Sequence, residues 1–334
     1  MPTQLVDKYG RIHDYLRISV TDRCNLRCVY CMPEEGMTFE PDHRILRYEE
    51  ITEVVKALAP LGVRKLRITG GEPLVRKGLD RLIAMLSAIP GIEDIALSTN
   101  GIYLAAFAPA LKEAGLTRVN ISLDSLVPER YARITRGGDV SKVLKGLQAS
   151  QLAGFHPIKL NVVLMKGVND DEVESFLRMT LEQPIHIRFI EYMPIGYEGA
   201  GWKAGYMPLT HVLETCERLG LPYTATREVY GNGPAESYRL EGAAGTFGLI
   251  HPVSDHFCGS CNRLRLTADG NIKPCLYWAD EYQVRKHIGD PAAIAALFMK
   301  ALDAKPETHE MARALSGERM SHAPTLRRMS QIGG

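Results

Sequence analysis

The chain has almost no excess charge of one sign: 40 Lys and Arg stand against 39 Asp and Glu, a formal net charge of +1. No global field therefore draws it to nucleic acid or an anionic membrane, and any anion site must be built locally. Long hydrophobic runs are missing as well, since none approaches the ~18 residues of a membrane span. The opening Met1-Pro2-Thr3-Gln4-Leu5-Val6-Asp7-Lys8 lacks the apolar stretch of a signal peptide. No internal repeat or low-complexity tract is present. These absences lead to the expectation of a cytoplasmic protein. Thiols stay reduced in that compartment, so the seven cysteines do not read as a disulfide framework.

Hydrophobic residues make up 45% and charged residues 24% of 334 positions, enough apolar material for a large core. That length suits two ordinary domains, or one β/α barrel of about 250 residues with an extension. The cysteines are unevenly spread. Cys24, Cys28 and Cys31 form one cluster and Cys258, Cys261 and Cys275 another, while Cys216 reads as a core thiol in a helical pattern. Two distant triplets point to two metal or iron–sulfur sites.

Across residues 1–195, β-rich runs alternate with helical periods. Strands are expected over 15–20, 65–68, 94–98, 118–123, 158–164 and 186–192. Helices are expected over 48–61, 79–89, 103–114, 140–153 and 170–181, where Leu, Val and Ile return every three or four positions. Alternation implies a parallel sheet. About six units suggest an α/β fold, an incomplete (β/α)6 TIM-like barrel, with a flat doubly wound sheet as the alternative. All strand C-termini of a barrel share one rim, where sites are built. Thr69-Gly70-Gly71-Glu72-Pro73, Ser98-Thr99-Asn100-Gly101 and Ser122-Leu123-Asp124 should converge there. Residues 196–334 read as a small C-terminal α+β extension closing the barrel opening. It begins with a Gly- and aromatic-rich linker over 196–206. A helix over 209–219 follows, then strands near 223–229, 237–240 and 246–250. Last comes a hairpin of 263–267 with 272–276 around Ala268-Asp269-Gly270.

Cys24-Asn25-Leu26-Arg27-Cys28-Val29-Tyr30-Cys31 follows the first expected strand and so lies on the rim. Three thiolates in so short a loop suit three irons of a cubane [4Fe–4S] cluster. Such a cluster normally takes four cysteines, so one iron stays open to an outside ligand. Zinc is the alternative, although His13 and His43 flank the loop without a recognisable ligand spacing. The Cys-x3-Cys-x2-Cys pattern, with an aromatic residue before its last cysteine, resembles the radical S-adenosylmethionine (SAM) superfamily. Gly70-Gly71-Glu72-Pro73 resembles the same superfamily's Gly-rich motif. The resemblance implies that SAM chelates the open iron and that one electron splits it to a 5′-deoxyadenosyl radical. Gly71 would let backbone approach SAM closely, and Glu72-Pro73 would fix the strand exit.

Cys258-Gly259-Ser260-Cys261 precedes Asn262-Arg263-Leu264-Arg265-Leu266, and Cys275 returns across the hairpin. A three-residue loop with left-handed Gly270 makes Thr267 face Asn271 and Arg263 face Cys275. A two-residue turn would instead pair Leu264 with Cys275. Within the strand, Arg263 and Arg265 share one face while Leu264 and Leu266 take the other. A zinc ribbon completed by His251 or His256 is one reading. The other is a second open-iron cluster beside an arginine clamp for an anion.

Over essentially its full length the chain resembles the GTP 3′,8-cyclase family (molybdenum cofactor biosynthesis protein A, MoaA). The residues that carry the likeness are Asp7-Lys8-Tyr9-Gly10-Arg11, Leu16-Arg17-Ile18-Ser19-Val20-Thr21-Asp22-Arg23-Cys24-Asn25 and Arg188-Phe189-Ile190-Glu191-Tyr192-Met193. Phe257-Cys258 through Cys275 and the ending Ile332-Gly333-Gly334 complete it. The resemblance implies two [4Fe–4S] clusters, one on Cys24, Cys28 and Cys31 and one on Cys258, Cys261 and Cys275, the second binding guanine. It implies SAM contacts from Tyr30, Gly71, Ser122 and Met193. It implies a GTP site lined by Arg17, Arg67, Ser98, Lys159, Arg188, Arg263, Leu264 and Arg265. Arg17, Arg263, Arg265 and the Gly333-Gly334 tail would serve catalysis. The adenosyl radical would take the ribose 3′ hydrogen, and the carbon radical would close onto guanine C8. An electron donor, a following enzyme of the MoaC type and a monomeric or homodimeric state complete the expectations. Arg319, Arg327 and Arg328 read as surface or anion-contacting residues. Rivals are a radical SAM enzyme acting on a peptide, which usually carries more auxiliary cysteines, and an iron–sulfur electron carrier, which needs no such basic lining.

Overall fold

Alternating apolar positions set the first strand, β1 (Tyr15–Ser19): Leu16 and Ile18 turn into the hydrophobic core, leaving Tyr15, Arg17 and Ser19 on the other face. The computed structural model describes residues 4–196, 200–226, 233–255 and 257–333. β2 (Lys65–Thr69), β3 (Asp94–Thr99), β4 (Arg118–Ser122), β5 (Ile158–Leu164) and β6 (Ile185–Glu191) follow, each parallel to its predecessor.

The connections are helical: α1 (Tyr48–Leu58), α2 (Leu79–Ser87), α3 (Leu104–Glu113), α4 (Pro128–Thr135), α5 (Val140–Leu152) and α6 (Val173–Glu182). Local chemistry sets their starts. Pro128 opens α4 with its φ already helical, and the Asp139 carboxylate caps α5 by accepting from the Ser141 amide at 2.9 Å. Their apolar stripes cover the outer face of the sheet, so Leu16, Leu66, Leu97, Ile121, Leu160 and Ile187 share one core with Val54, Leu82, Leu111 and Phe176.

The remaining elements are α7 (Ala200–Gly205), α8 (Thr210–Arg218), β7 (Tyr223–Ala225), β8 (Glu236–Leu240), β9 (Thr246–Ile250), β10 (Arg263–Leu266), β11 (Asn271–Lys273), β12 (Tyr282–Gln283), α9 (Pro291–Asp303), α10 (Met311–Ser316) and α11 (Met329–Ile332). Their strands do not form a layer of their own. β10 pairs parallel with β1 and β9 parallel with β6, giving one sheet in the order β12-β11-β10-β1-β2-β3-β4-β5-β6-β9-β8-β7. The extension thus satisfies the open edges that β1 and β6 would otherwise present. Positions 227–229 of the strand expected near 223 lie outside the described residues. The linker expected over 196–206 holds α7, and α4, α9, α10 and α11 correspond to no helix expected from the sequence. Among the described residues no helix is long and apolar enough to cross a membrane.

Candidate active site

The first cysteine loop leaves β1 at the C-terminal ends of the parallel strands. Two backbone hydrogen bonds seat it on the loop after β2: Gly71 N–H to Thr21 O at 2.7 Å and Glu72 N–H to Arg23 O at 2.8 Å. A β-carbon on Gly71 would lie 2.3 Å from Arg23 O. Gly71 therefore permits a close approach of two backbones, with the cysteine loop as the partner. Glu72 lies fully buried and gathers the next rim segment, accepting from Leu74 N at 3.0 Å, Thr99 Oγ1 at 2.8 Å and Asn100 N at 2.6 Å. Burial pushes its carboxyl up to about 7. On the far side, the Arg27 and Val29 amides donate to Thr135 O and Ile134 O at the end of α4. Tyr30 OH donates to Asp124 Oδ2 at 2.6 Å, and burial raises that carboxyl to about 6. Ser122 ends β4, and Met193 follows β6, so both stand at the same rim.

The second triplet stands at the other end. Cys261 lies just before β10, whose Arg263 pairs in parallel with Tyr15 at the start of β1. From Tyr15 to Ser19, about 13 Å of strand separates the exits of the two loops. The hairpin takes the three-residue form: Arg265 faces Lys273 and Leu266 faces Ile272, with Gly270 at φ +87°. The ladder ends at Arg265 and Lys273, and beyond it burial, with Cys275 and Cys261 close by, pushes the Cys258 thiol up. Burial works against ionisation of Cys261, but Arg263 and Lys305 pull its thiol down to about 6. Lys305 Nζ donates to Arg263 O at 3.0 Å and to Pro274 O, tying the two strands of the hairpin. Arg11, from the opening motif, donates to Cys258 O at 2.8 Å and to Glu307 O at 2.7 Å. His251 lies at the far rim, 3.8 Å from the Glu191 carboxylate, and so is no fourth ligand here. His256 lies outside the described residues. Each triplet is thus a set of thiols held by backbone contacts, a donor set that suits an iron–sulfur cube with one open corner.

Between the two ends lies a cationic row. Arg265, Arg17 and Arg67 are direct cross-strand neighbours on β10, β1 and β2, in register. Like charges directly opposite repel, so the row is costly without an anion. Arg17 Nε is buried with no hydrogen-bond partner, and burial together with Arg265 holds the guanidinium well below its usual range. Arg67 donates to Tyr15 OH and, at 3.2 Å, to Ser98 Oγ. Arg188 donates to Asn161 Oδ1 at 2.9 and 2.6 Å. The Asn120 amide lies against the same two guanidinium groups, and its oxygen would accept from both if the amide were turned towards them. Lys159 is buried beside them, and burial with Arg188, Arg118 and Arg67 pushes its ammonium down to about 5.

The Leu264 side chain is in the hydrophobic core, because the period of two turns it away from Arg263 and Arg265, so this residue offers the expected GTP site its backbone alone. Cys216 is in the core, as expected. Gly333 returns to the sheet face that carries this row: its carbonyl accepts from Arg265 Nη1 at 2.7 Å, and a β-carbon there would meet Thr69 Cγ2 at 2.6 Å and Ser19 Cβ at 3.1 Å. Gly334 lies outside the described residues. Asp124 stands at the rim where Ser122-Leu123-Asp124 is expected, whereas Tyr15, Asn120 and Asn161 are not among the residues the sequence singles out. The period of two that placed Arg17 inside marks Tyr15 as well, and Asn161 stands two residues after Lys159.

The Radical SAM superfamily model matches residues 18–180, and Molybdenum Cofactor Synthesis C matches residues 185–311. The chain is 58% identical over 330 residues to the GTP 3′,8-cyclase of Listeria welshimeri serovar 6b, covering 99% of each chain. It is 51% identical over 331 residues to that of Lactiplantibacillus plantarum, again covering 99% of each. Among solved structures, Streptococcus suis SuiB aligns with a TM-score of 0.60 at 14% identity, over 94% of this chain and 70% of that one. At such identity the likeness shows the TIM-like radical SAM fold alone. The chain belongs to the GTP 3′,8-cyclase family, radical SAM enzymes that use SAM and two [4Fe–4S] clusters to convert GTP into (8S)-3′,8-cyclo-7,8-dihydroguanosine 5′-triphosphate for the molybdenum cofactor.

Proposed function

We propose that the cyclisation runs in the space between the two cysteine loops, with each residue set doing one task. Cys24, Cys28 and Cys31 would hold the cluster that binds SAM, and Tyr30, Gly71, Ser122 and Met193 would contact SAM. Cys258, Cys261 and Cys275 would hold the second cluster, at which guanine would bind. When bound, these groups supply the radical that removes the ribose 3′ hydrogen. The chain's own residues bind, orient and exclude water. Arg17, Arg67, Arg265 and Lys159 neutralise the triphosphate, Arg188 and Ser98 complete the lining, and Arg263 opens β10 two residues after Cys261 of the second triplet.

The single observation that carries this reading is the in-register row Arg265–Arg17–Arg67, a repulsive arrangement lying between two thiol triplets at opposite strand ends. A triphosphate relieves that repulsion with charge-assisted hydrogen bonds. Gly333, on Arg265, returns to the face of this row near Ser19 and Thr69. On this reading the fold is an incomplete (β/α)6 barrel over 1–195 whose opening the part over 196–334 closes. The enzyme is a cytoplasmic monomer or homodimer served by an electron donor and followed by a MoaC-type enzyme.

The test is iron counting with activity on anaerobically loaded protein. The parent should carry about eight irons, and both Cys24→Ala and Cys258→Ala about four. Cys24→Ala should lose 5′-deoxyadenosine release altogether. Cys258→Ala should retain SAM binding but lose the GTP-induced change in the spectrum of its cluster. A full iron complement in either variant would overturn the assignment.

A further inference from the structure

Arg327 was read from sequence as a surface or anion-contacting residue. The structure gives its guanidinium other work. Nε donates to Glu281 Oε1 at 2.6 Å and Nη2 to Glu281 Oε2 at 2.8 Å. Nη2 also reaches Asp269 Oδ2 at 2.8 Å, and Nη1 reaches Asp269 Oδ1 at 3.2 Å. Two carboxylates thus grip one planar cation in a fork geometry, engaging four of its five N–H groups. All three side chains are about one-fifth exposed or less.

The position of this clamp matters more than its strength. Asp269 is in the β10–β11 turn, held by Thr267 Oγ1 at 2.6 Å and Asn271 Nδ2 at 2.8 Å. Arg265, which holds the Gly333 carbonyl, is on β10 of the same hairpin, four positions earlier. The tail is therefore fastened to one hairpin at two points, at its root by Arg327 and at its tip by Gly333. The hairpin's other end carries Cys261 and Cys275.

The stretch between the two points is pre-shaped. Thr325 N donates to Tyr277 O at 2.7 Å, α11 makes a short turn, and Ile332 is buried against Tyr277 and Trp278. Gly196 lets the loop after β6 press on the tail, since a β-carbon there would lie 2.6 Å from Arg327 O. Lys273, buried beneath, donates to Trp278 O at 2.8 Å and to Glu281 at 3.2 Å, so Glu281 is itself held.

We infer that Arg327 is a positioning residue: through Asp269 and Glu281 it anchors the C-terminal tail to the hairpin and thereby delivers Gly333 to the sheet face that carries the arginine row. The anchoring stands on geometry alone, while its consequence for turnover rests on the proposed role of the tail.

The test compares the cluster-loaded full chain with Arg327→Gln, Arg327→Lys and Glu281→Gln. Hydrogen exchange of the Thr325, Ile332 and Gly333 amides should quicken by about tenfold or more in Arg327→Gln, less in Glu281→Gln, and be partly restored in Arg327→Lys. The amides of β1 to β6 should stay protected throughout. 5′-Deoxyadenosine release should then exceed GTP conversion, because SAM cleavage no longer meets a correctly closed site. Unchanged tail exchange in Arg327→Gln overturns the inference. So does quickened exchange spread across the parallel sheet in both Arg327→Gln and Glu281→Gln, since the network would then support the fold at large. A loosened tail with unaltered coupling upholds the anchor and overturns the catalytic role of the tail.

Discussion

Replacing Lys159 by methionine separates the cost of the cationic cavity from its purpose. In the unliganded chain Lys159 is 2% exposed with Arg188, Arg118 and Arg67 around it, and its ammonium is held down to about 5. At pH 7, two units above that value, only about one molecule in a hundred carries the proton. A bound triphosphate reverses the field, so the ammonium should be favoured in the complex and its formation should take up to about one proton. The sign follows from linkage: binding strengthens as pH falls from the bound pKa towards 5 and levels off below 5. Within that window each pH unit changes affinity by up to tenfold, about 1.4 kcal/mol. Calorimetry of GTP binding in buffers of different ionisation enthalpy, without reductant so that no turnover occurs, reads the uptake directly. Lys159→Met should take up fewer protons than the parent, by up to about one, and the difference cancels any titration of GTP itself. Without GTP the variant should be more stable by about 1–3 kcal/mol, since a buried, poorly compensated amine gives way to an apolar chain of similar length. Equal proton uptake in both proteins would refute the reasoning.

Three further outcomes follow. Gly71→Ala should cost iron at the first triplet, because its β-carbon would meet Arg23 O at 2.3 Å and the cysteine loop must move. Iron content should fall towards about four per chain, while unchanged loading would show that the loop yields. Gly333→Ala combines φ +83° with a 2.6 Å approach to Thr69, so the tip should leave Arg265. GTP turnover should drop about tenfold or more with SAM affinity unchanged, as binding titrations would show. Arg17→Met should raise the KM for GTP by about tenfold or more through loss of a charge-assisted contact. It should also raise Tm without GTP, because the middle charge of the repelling row is gone.

Short-range patterns made much of this molecule legible. The strands over 65–69, 94–99 and 158–164 declared themselves through β-rich runs beside turn residues, and the cysteine spacing marked both triplets. Ala268-Asp269-Gly270 marked the hairpin but left two registers, and the structure takes the one with left-handed Gly270 in a three-residue loop. Five helices escaped, α4, α7, α9, α10 and α11, of which α4 and α9 are the longest. Pro128–Thr135 carries the polar, charged run Pro-Glu-Arg-Tyr-Ala-Arg-Ile-Thr, and Pro291–Asp303 follows the irregular stretch after the hairpin. Gly71 was legible as a close approach, but not that the other backbone belongs to the cysteine loop.

What the amino-acid order by itself determined was local: which positions alternate, which turn, and which thiols share a loop, all set within a few residues by sterics and period. That Arg265 lies beside Arg17, and Arg17 beside Arg67, depends on β10 adding parallel to β1 across some 250 positions of chain. Likewise Arg327 has its partners only because the tail returns to the hairpin turn. Charge clustering of this kind is a property of strand order, and strand order is chosen by burial of the whole sheet rather than by any segment of it.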